Sequence, residues 1–212
     1  MAIQINGNGT ITGINVGGLP DGIVDTDMIA NSAVTTAKSS GLGGLNMVDI
    51  WDLNHVIGMS AGSEVTLGKS STYNGGTGQW TRATYNGTIG SAMTVSNEVF
   101  TFPSTGIYEI LFSLDTWNLA NAEARYIWAR IYTSTNSGTN WTQRSVSNDN
   151  AISDGSHVYT TTRASYIFDV TNTSTHKIKF TAAHERAANI NGDASGDNNL
   201  HTYVMFKKLG DT

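Results

Sequence analysis

The stretch Val99-Phe100-Thr101-Phe102-Pro103-Ser104-Thr105-Gly106-Ile107-Tyr108-Glu109-Ile110 decides the fold. Side chains of a strand alternate between its two faces, so Phe100 and Phe102 point to one side. Pro103 has no amide hydrogen with which to continue a ladder, and Gly106 permits a turn that other residues resist. Tyr108 then returns the chain to a sheet. The segment reads as strand, turn and next strand, with its aromatic side toward a core.

Outward from this segment the same grammar repeats. Met47-Val48-Asp49-Ile50-Trp51-Asp52-Leu53 alternates apolar and acidic residues in the manner of a half-buried strand. Further strands are expected over residues 80–85, 92–102, 106–115, 126–133, 157–162, 164–170, 177–182 and 201–209. Most are bounded by clusters of Gly, Asn, Asp or Ser. Ser137-Gly138-Thr139-Asn140 reads as a connection between strands, and residues 189–199 as an exposed loop. Composition agrees: charged residues make up only 14%, with 23 Gly and 2 Pro. Such a chain is rich in turn formers and β-branched residues and poor in the residues that build long helices. The class is all-β, and many short strands between residues 46 and 212 fit a two-sheet sandwich or jelly roll.

Residues 1–45 differ in kind. All 5 Trp, 6 Phe and 8 Tyr fall after them, so this region lacks the large side chains that supply most of a core's buried area. It still has pattern. Ile3, Ile5 and Ile11 share odd positions with Gly7, Gly9 and Gly13, a period of two. Gly17-Gly18-Leu19-Pro20-Asp21-Gly22 is turn chemistry. Residues 23–28 and 33–38 form a weak ten-residue repeat in which Val24 and Val34 each precede a Thr by two positions, with Asp25 or Thr35 placed to cap a short helical turn. So short a repeat buries little alone. It gains meaning if several copies wind about a shared axis, with Ile3, Ile5, Ile11, Ile14, Val24 and Val34 at the contact.

The segment Phe100 to Tyr108 resembles the F-x-x-P-x-x-G-x-Y type of signature of C1q/TNF-like jelly rolls, and His201-Thr202-Tyr203-Val204-Met205-Phe206-Lys207-Lys208-Leu209 resembles the closing strand of such heads in phage proteins. Gly18-Leu19-Pro20-Asp21-Gly22 and Val34-Thr35-Thr36-Ala37-Lys38 resemble steps in the N-terminal part of phage tail-fibre proteins. Together these resemblances imply a homotrimer located in a virion, as a tail fibre, spike or capsid-surface fibre. Residues 1–45 would form an extended anchor or stalk that joins other virion proteins, and residues 46–212 a jelly-roll head that adsorbs to a host surface glycan or protein.

Other functions find less in the sequence. The net charge is −5 and the 12 basic residues are scattered, which disfavours a nucleic-acid partner. No stretch approaches the ~20 apolar residues of a membrane-spanning helix, and residues 1–7 lack the marks of a signal peptide. With 0 Cys, disulfides, thiolate zinc sites and a cysteine nucleophile are excluded together. Four N-x-S/T sequons, at Asn8, Asn86, Asn140 and Asn172, are what Asn/Thr-rich loops produce by chance. No Gly-x-Ser-x-Gly, His-x-x-x-His or His-Glu-x-x-His occurs. His157 and His201 read as packed or rim residues. No catalytic residue is assigned, and a polysaccharide depolymerase would need a facing carboxylate pair that one sequence cannot supply.

Two binding features stand out. Asn191, Asp193, Ser195 and Asp197 have the spacing of oxygen ligands in a calcium loop, with Gly196 at the turn, although Thr202 occupies the position of the bidentate Glu. Trp80, Trp117 and Trp141 lie in or beside polar loops. They either plug the sandwich or the trimer axis, or stand exposed as receptor contacts that stack on sugar rings. The latter is also what a carbohydrate-binding module would need.

Overall fold

The computed structural model describes residues 45–68, 79–118, 123–153, 155–193 and 198–212, and the backbone of four short strands at residues 4–5, 11–12, 72–73 and 76–77. The chain divides into two units, Met1–Leu42 and Gly43–Thr212. In the first, β1 (Gln4–Ile5) and β2 (Ile11–Thr12) pair antiparallel, with Ile5 opposite Ile11. Ile3, Ile14, Val24 and Val34 lie outside the described residues.

The second unit is an all-β sandwich of two antiparallel sheets. Its strands are β3 (Met47–Leu53), β4 (Ile57–Met59), β5 (Glu64–Thr66), β6 (Thr72–Tyr73), β7 (Gly76–Thr77), β8 (Trp80–Arg82), β9 (Thr94–Ser96), β10 (Val99–Thr101), β11 (Gly106–Asn118), β12 (Ala124–Ser134), β13 (Thr142–Ala151), β14 (Tyr159–Val170), β15 (Lys177–His184), β16 (Ala188–Ile190) and β17 (Tyr203–Gly210). One sheet, of six strands, runs β13-β12-β15-β10-β9, with β5 also on β15. The other, of seven, runs β4-β16-β11-β17-β3-β8, with β14 along the free side of β11. β6 and β7 form a separate hairpin. These crossings between sheets make the sandwich a jelly roll.

The opening segment explains how the sheets are held. Phe100 on β10 and Phe102 just after it are both buried. Phe100 packs against Phe180 of its own sheet at 5.8 Å, and against Phe206 and Trp51 of the other at 5.1 and 5.5 Å. The turn is pinned by the Tyr108 hydroxyl, which donates to the Ser104 carbonyl at 2.9 Å, while its ring lies 4.8 Å from Phe102. Along β11, Tyr108, Ile110, Phe112 and Leu114 are fully buried, and the residues between them mostly face outward. This is period-two patterning over thirteen residues.

Several expectations need correction. Residues 92–102 are not one strand but the hairpin β9–β10, because Asn97 takes a left-handed conformation (φ 55) at its tip. Residues 157–162 and 164–170 are one strand, β14, paired with β11 from Tyr159 to Val170. β13 and β16 were not foreseen. β13 is mostly polar, with Val146 and Ala151 its apolar residues, and is held by its ladder to β12, whereas β16 is three residues long, and its Asn189 and Ile190, expected in an exposed loop, are buried. In β3 the acids are not the solvent side: Asp49 is wholly buried and Asp52 nearly so. Asp49 is satisfied there by Arg82 Nε at 2.6 Å, the Met93 amide at 2.7 Å and Trp51 Nε1 at 2.8 Å. A buried carboxylate is tolerable when paired and hydrogen-bonded in this way.

Gly106 sits at φ +144, and a Cβ there would lie 2.6 Å from the Gly210 carbonyl oxygen of the paired strand and 2.3 Å from Lys208 Cε. Gly106→Ala is therefore expected to lower unfolding stability by about 2 kcal/mol or more, measured by urea denaturation, whereas an alanine at Gly62, where a Cβ meets nothing, would incur only the backbone term.

Candidate functional site

The sandwich presents two outer faces of different chemistry. On the seven-stranded sheet, register places residues in rows across β14, β11, β17 and β3. One row is Ile167, Glu109, Lys207 and Val48, and the next is Ser165, Leu111, Met205 and Ile50. Glu109 and Lys207 form an ion pair at 3.2 Å in the middle of the first row. Trp117 and Tyr159 continue the face toward one end, with ring centroids 6.3 Å apart. Ile167 is 52% exposed and Tyr159 64%, while Ile107, Leu111, Met205, Ile50 and Val48 are half-buried. One β-sheet face therefore offers a broad apolar surface to solvent, and surfaces of that kind mark association sites.

Beside this face lies a polar cluster. Asn191 Nδ2 donates to Asp115 Oδ2 at 3.1 Å and lies 3.0 Å from His201 Nδ1, which is itself 3.7 Å from Asp115. Asp52 receives the Tyr85 hydroxyl. Burial raises the pKa of Asp52 above its ordinary value, and the charge of Asp193 adds to that rise. Asn191 and Asp193 of the calcium-type loop are thus placed, with the Asp193 amide donating to the Leu53 carbonyl at 2.7 Å; Ser195 and Asp197 lie outside the described residues. Among the described residues no three His, Asp or Glu side chains are gathered to hold a metal.

The outer face of the six-stranded sheet carries a ridge of rings and cations. Every second residue of β12 faces outward: Tyr126, Trp128, Arg130 and Tyr132. Tyr126 stacks on Trp128 with centroids 4.3 Å apart, and the Arg130 guanidinium lies 4.1 Å over the Trp128 ring. Glu64 of β5 pairs with Arg130 and accepts from Thr181 Oγ1. The Tyr132 hydroxyl is 3.2 Å from Glu64 and 3.3 Å from Gln143. Burial, then the Glu64 charge, raises the Tyr132 phenol above its ordinary pKa of 10.0, so it remains a donor. Across the strands the ridge is flanked by small side chains, since Trp128 is opposite Ala183 and Arg130 opposite Thr181. Trp141 closes the ridge. The turn before it takes left-handed residues at Ser137 (φ 61) and Gly138 (φ 85) and is tied by Ser134 Oγ, which accepts from the Gly138 amide at 2.9 Å. Lys179 Nζ rests 4.7 Å from the Trp141 ring and 5.9 Å from that of Tyr132.

The three tryptophans singled out in the sequence separate. Trp80 is 4% exposed, donates Nε1 to the Leu67 carbonyl at 3.1 Å and packs on Phe100 and Phe180, so it is a core residue and not a receptor contact. Trp117 belongs to the apolar face, 4.9 Å from exposed His157. Trp141 stands on the ridge. The ridge residues Tyr126, Trp128 and Tyr132 were missed, although Tyr126-x-Trp128-x-Arg130-x-Tyr132 places rings and a cation on one face of a strand at a period of two. That was the available signal.

Strand order, the buried aromatic seam and the two free sheet faces define a jelly roll of the tumour-necrosis-factor type. Among solved structures, the chain is similar to murine APRIL, with 12% identity and a TM-score of 0.50 over 77% of this chain and 98% of that one. It is similar also to Eiger TNF from S. frugiperda, with 11% identity and a TM-score of 0.50 over 80% and 96%. The likeness is one of fold. No family model matches the sequence, and no curated protein matches it.

Trp80→Ala is expected to cost about 3–5 kcal/mol, as other buried aromatic truncations do, and Trp141→Ala about 1 kcal/mol or less. Chemical denaturation of the two variants measures both.

Proposed function

We propose that this chain is a non-enzymatic structural subunit of a phage particle, a homotrimeric tail fibre, spike or capsid-surface fibre whose head adsorbs to the host. The observation that carries the self-association is the apolar outer face of the seven-stranded sheet, where Ile167, Leu111, Met205 and Ile50 occupy adjoining rows. Covering such a face removes apolar area from water at roughly 25 cal/mol per Å², and the central Glu109–Lys207 pair is already neutralised within one chain. The virion setting, the threefold symmetry and the anchoring role of residues 1–45 draw on the resemblance of Gly18–Gly22 and Val34–Lys38 to tail-fibre steps. A free carbohydrate-binding module is the second reading, favoured by the ring-and-cation ridge on the opposite face.

Native mass spectrometry of the full chain should give a trimer. Ile167→Asp, at an exposed position where a single folded chain tolerates a charge, should yield folded monomer by the same measurement and by circular dichroism. A wild-type monomer at micromolar concentration would remove the fibre reading. Chain lacking residues 1–45 should lose incorporation into particles; retained incorporation would remove the anchoring role.

A further inference from the structure

The ridge on the six-stranded sheet lies outside the core between the sheets, on a face where it covers Thr181 and Ala183 and is itself half-open. A core aromatic is enclosed between sheets, as Phe100, Phe112 and Phe180 are, all fully buried. Tyr126, Trp128, Tyr132 and Trp141 instead stand half-buried on an outer face, on the opposite side of the sandwich from the face assigned to self-association. Holding four such rings half-open exposes apolar area beyond what covers Ala183 and Thr181 beneath them, two side chains too small to enclose the rings in return. The ridge is also rigid. Tyr126 and Trp128 brace one another by stacking, Glu64 fixes Arg130, and the hydrogen-bonded turn at residues 134–140 fixes Trp141. Pre-set rings of this kind bind at low entropic cost.

The charges narrow the occupant. Arg130 is neutralised by Glu64. Lys179 is not: its ammonium lies 4.7 Å from the Trp141 ring and 5.9 Å from that of Tyr132 and has no carboxylate partner among the described residues. A ligand that complements this arrangement has flat C–H faces to lie on the rings and a single carboxylate to reach the ammonium. An acidic sugar has both. The chain's net charge of −5 offers no long-range attraction to a dense polyanion, so recognition must come from contact, and a nucleic acid or heavily sulfated chain fits less well than a sparsely carboxylated one.

We infer that the outer face of β12 and β15, with Tyr126, Trp128, Tyr132, Trp141 and Lys179, is a binding site for carboxylated oligosaccharides. This rests on the adsorption role proposed above and names its ligand class. The rings carry the stacking and Lys179 takes the carboxylate. Gln143, hydrogen-bonded to Tyr132, and Asn148, opposite Trp128, supply polar groups at the rim.

The test is binding of the full-length protein to immobilised uronate- and sialate-containing oligosaccharides beside their neutral methyl-ester counterparts, with native mass spectrometry on the same samples. Binding confined to the carboxylated forms is expected. Trp128→Ala and Lys179→Gln should each weaken it by roughly tenfold or more, with the assembly state unchanged, and Lys179→Arg should restore most of it. No binding by an intact trimer, or equal binding to the methyl esters, overturns the inference while leaving the fibre reading in place. Binding that survives both substitutions overturns it as well. A monomer that still binds carboxylated sugars, with the expected losses in both variants, overturns the fibre reading and leaves the site standing.

Discussion

The two sheets of this protein are joined at Phe100. Its ring lies against Phe180 in its own sheet and against Phe206 and Trp51 in the other, with Trp80 closing a further side. Centroid separations of 5–6 Å and steep interplanar angles are the arrangement in which aromatic quadrupoles attract. The seam is continuous, since Phe180 also meets Phe112, and Phe102 meets Tyr108, Phe168 and Phe206. This seam holds the two sheets of the sandwich together. The turn at Ser104–Gly106 lets β10 and β11 leave Phe100 and Tyr108 on the same core from two different sheets, and the buried Asp49 then ties Arg82 and the Met93 amide down against β3.

The aromatic core lies between the sheets, and the two outer faces differ in chemistry. One carries isoleucine, leucine and methionine in adjoining rows around an internally neutralised ion pair. That face is the one through which self-association is proposed. The other carries stacked rings with one cation that has no carboxylate partner among the described residues, the site proposed for a carboxylated sugar. Because the faces are on opposite sides of one sandwich, the proposed assembly through the first would leave the second open. A multivalent particle would gain from that division, since several weak sites presented together raise avidity without any new contact.

The fold was largely legible because its deciding segment is locally redundant. Phe100, Phe102, Pro103, Gly106 and Tyr108 each restrict the backbone in the same direction, and β11 alternates along its length except at the buried Ser113. What was illegible depended on partners distant in sequence. β13 is mostly polar and exists because β12 lies beside it, while β16 is too short to show a period. Asp49 reads as a surface acid until Arg82 and the Met93 amide are folded over it. For the site, local text misled: Trp80 has polar neighbours in sequence but Leu67, Phe100 and Phe180 in space. Tyr126, Trp128, Arg130 and Tyr132 were readable as a stripe, yet only the register against Ala183 and Thr181 and their half-burial show that they line an outer face.

The central claim is that the protein hides one outer face against its own copies and keeps the other open. Hydroxyl-radical footprinting of the intact full-length protein, read residue by residue by mass spectrometry, tests it in one experiment. Met205, Trp117 and Tyr159 should be protected relative to a denatured reference while Tyr126, Trp128 and Trp141 are modified. Reactive Met205 and Tyr159 beside protected Trp128 would contradict the account.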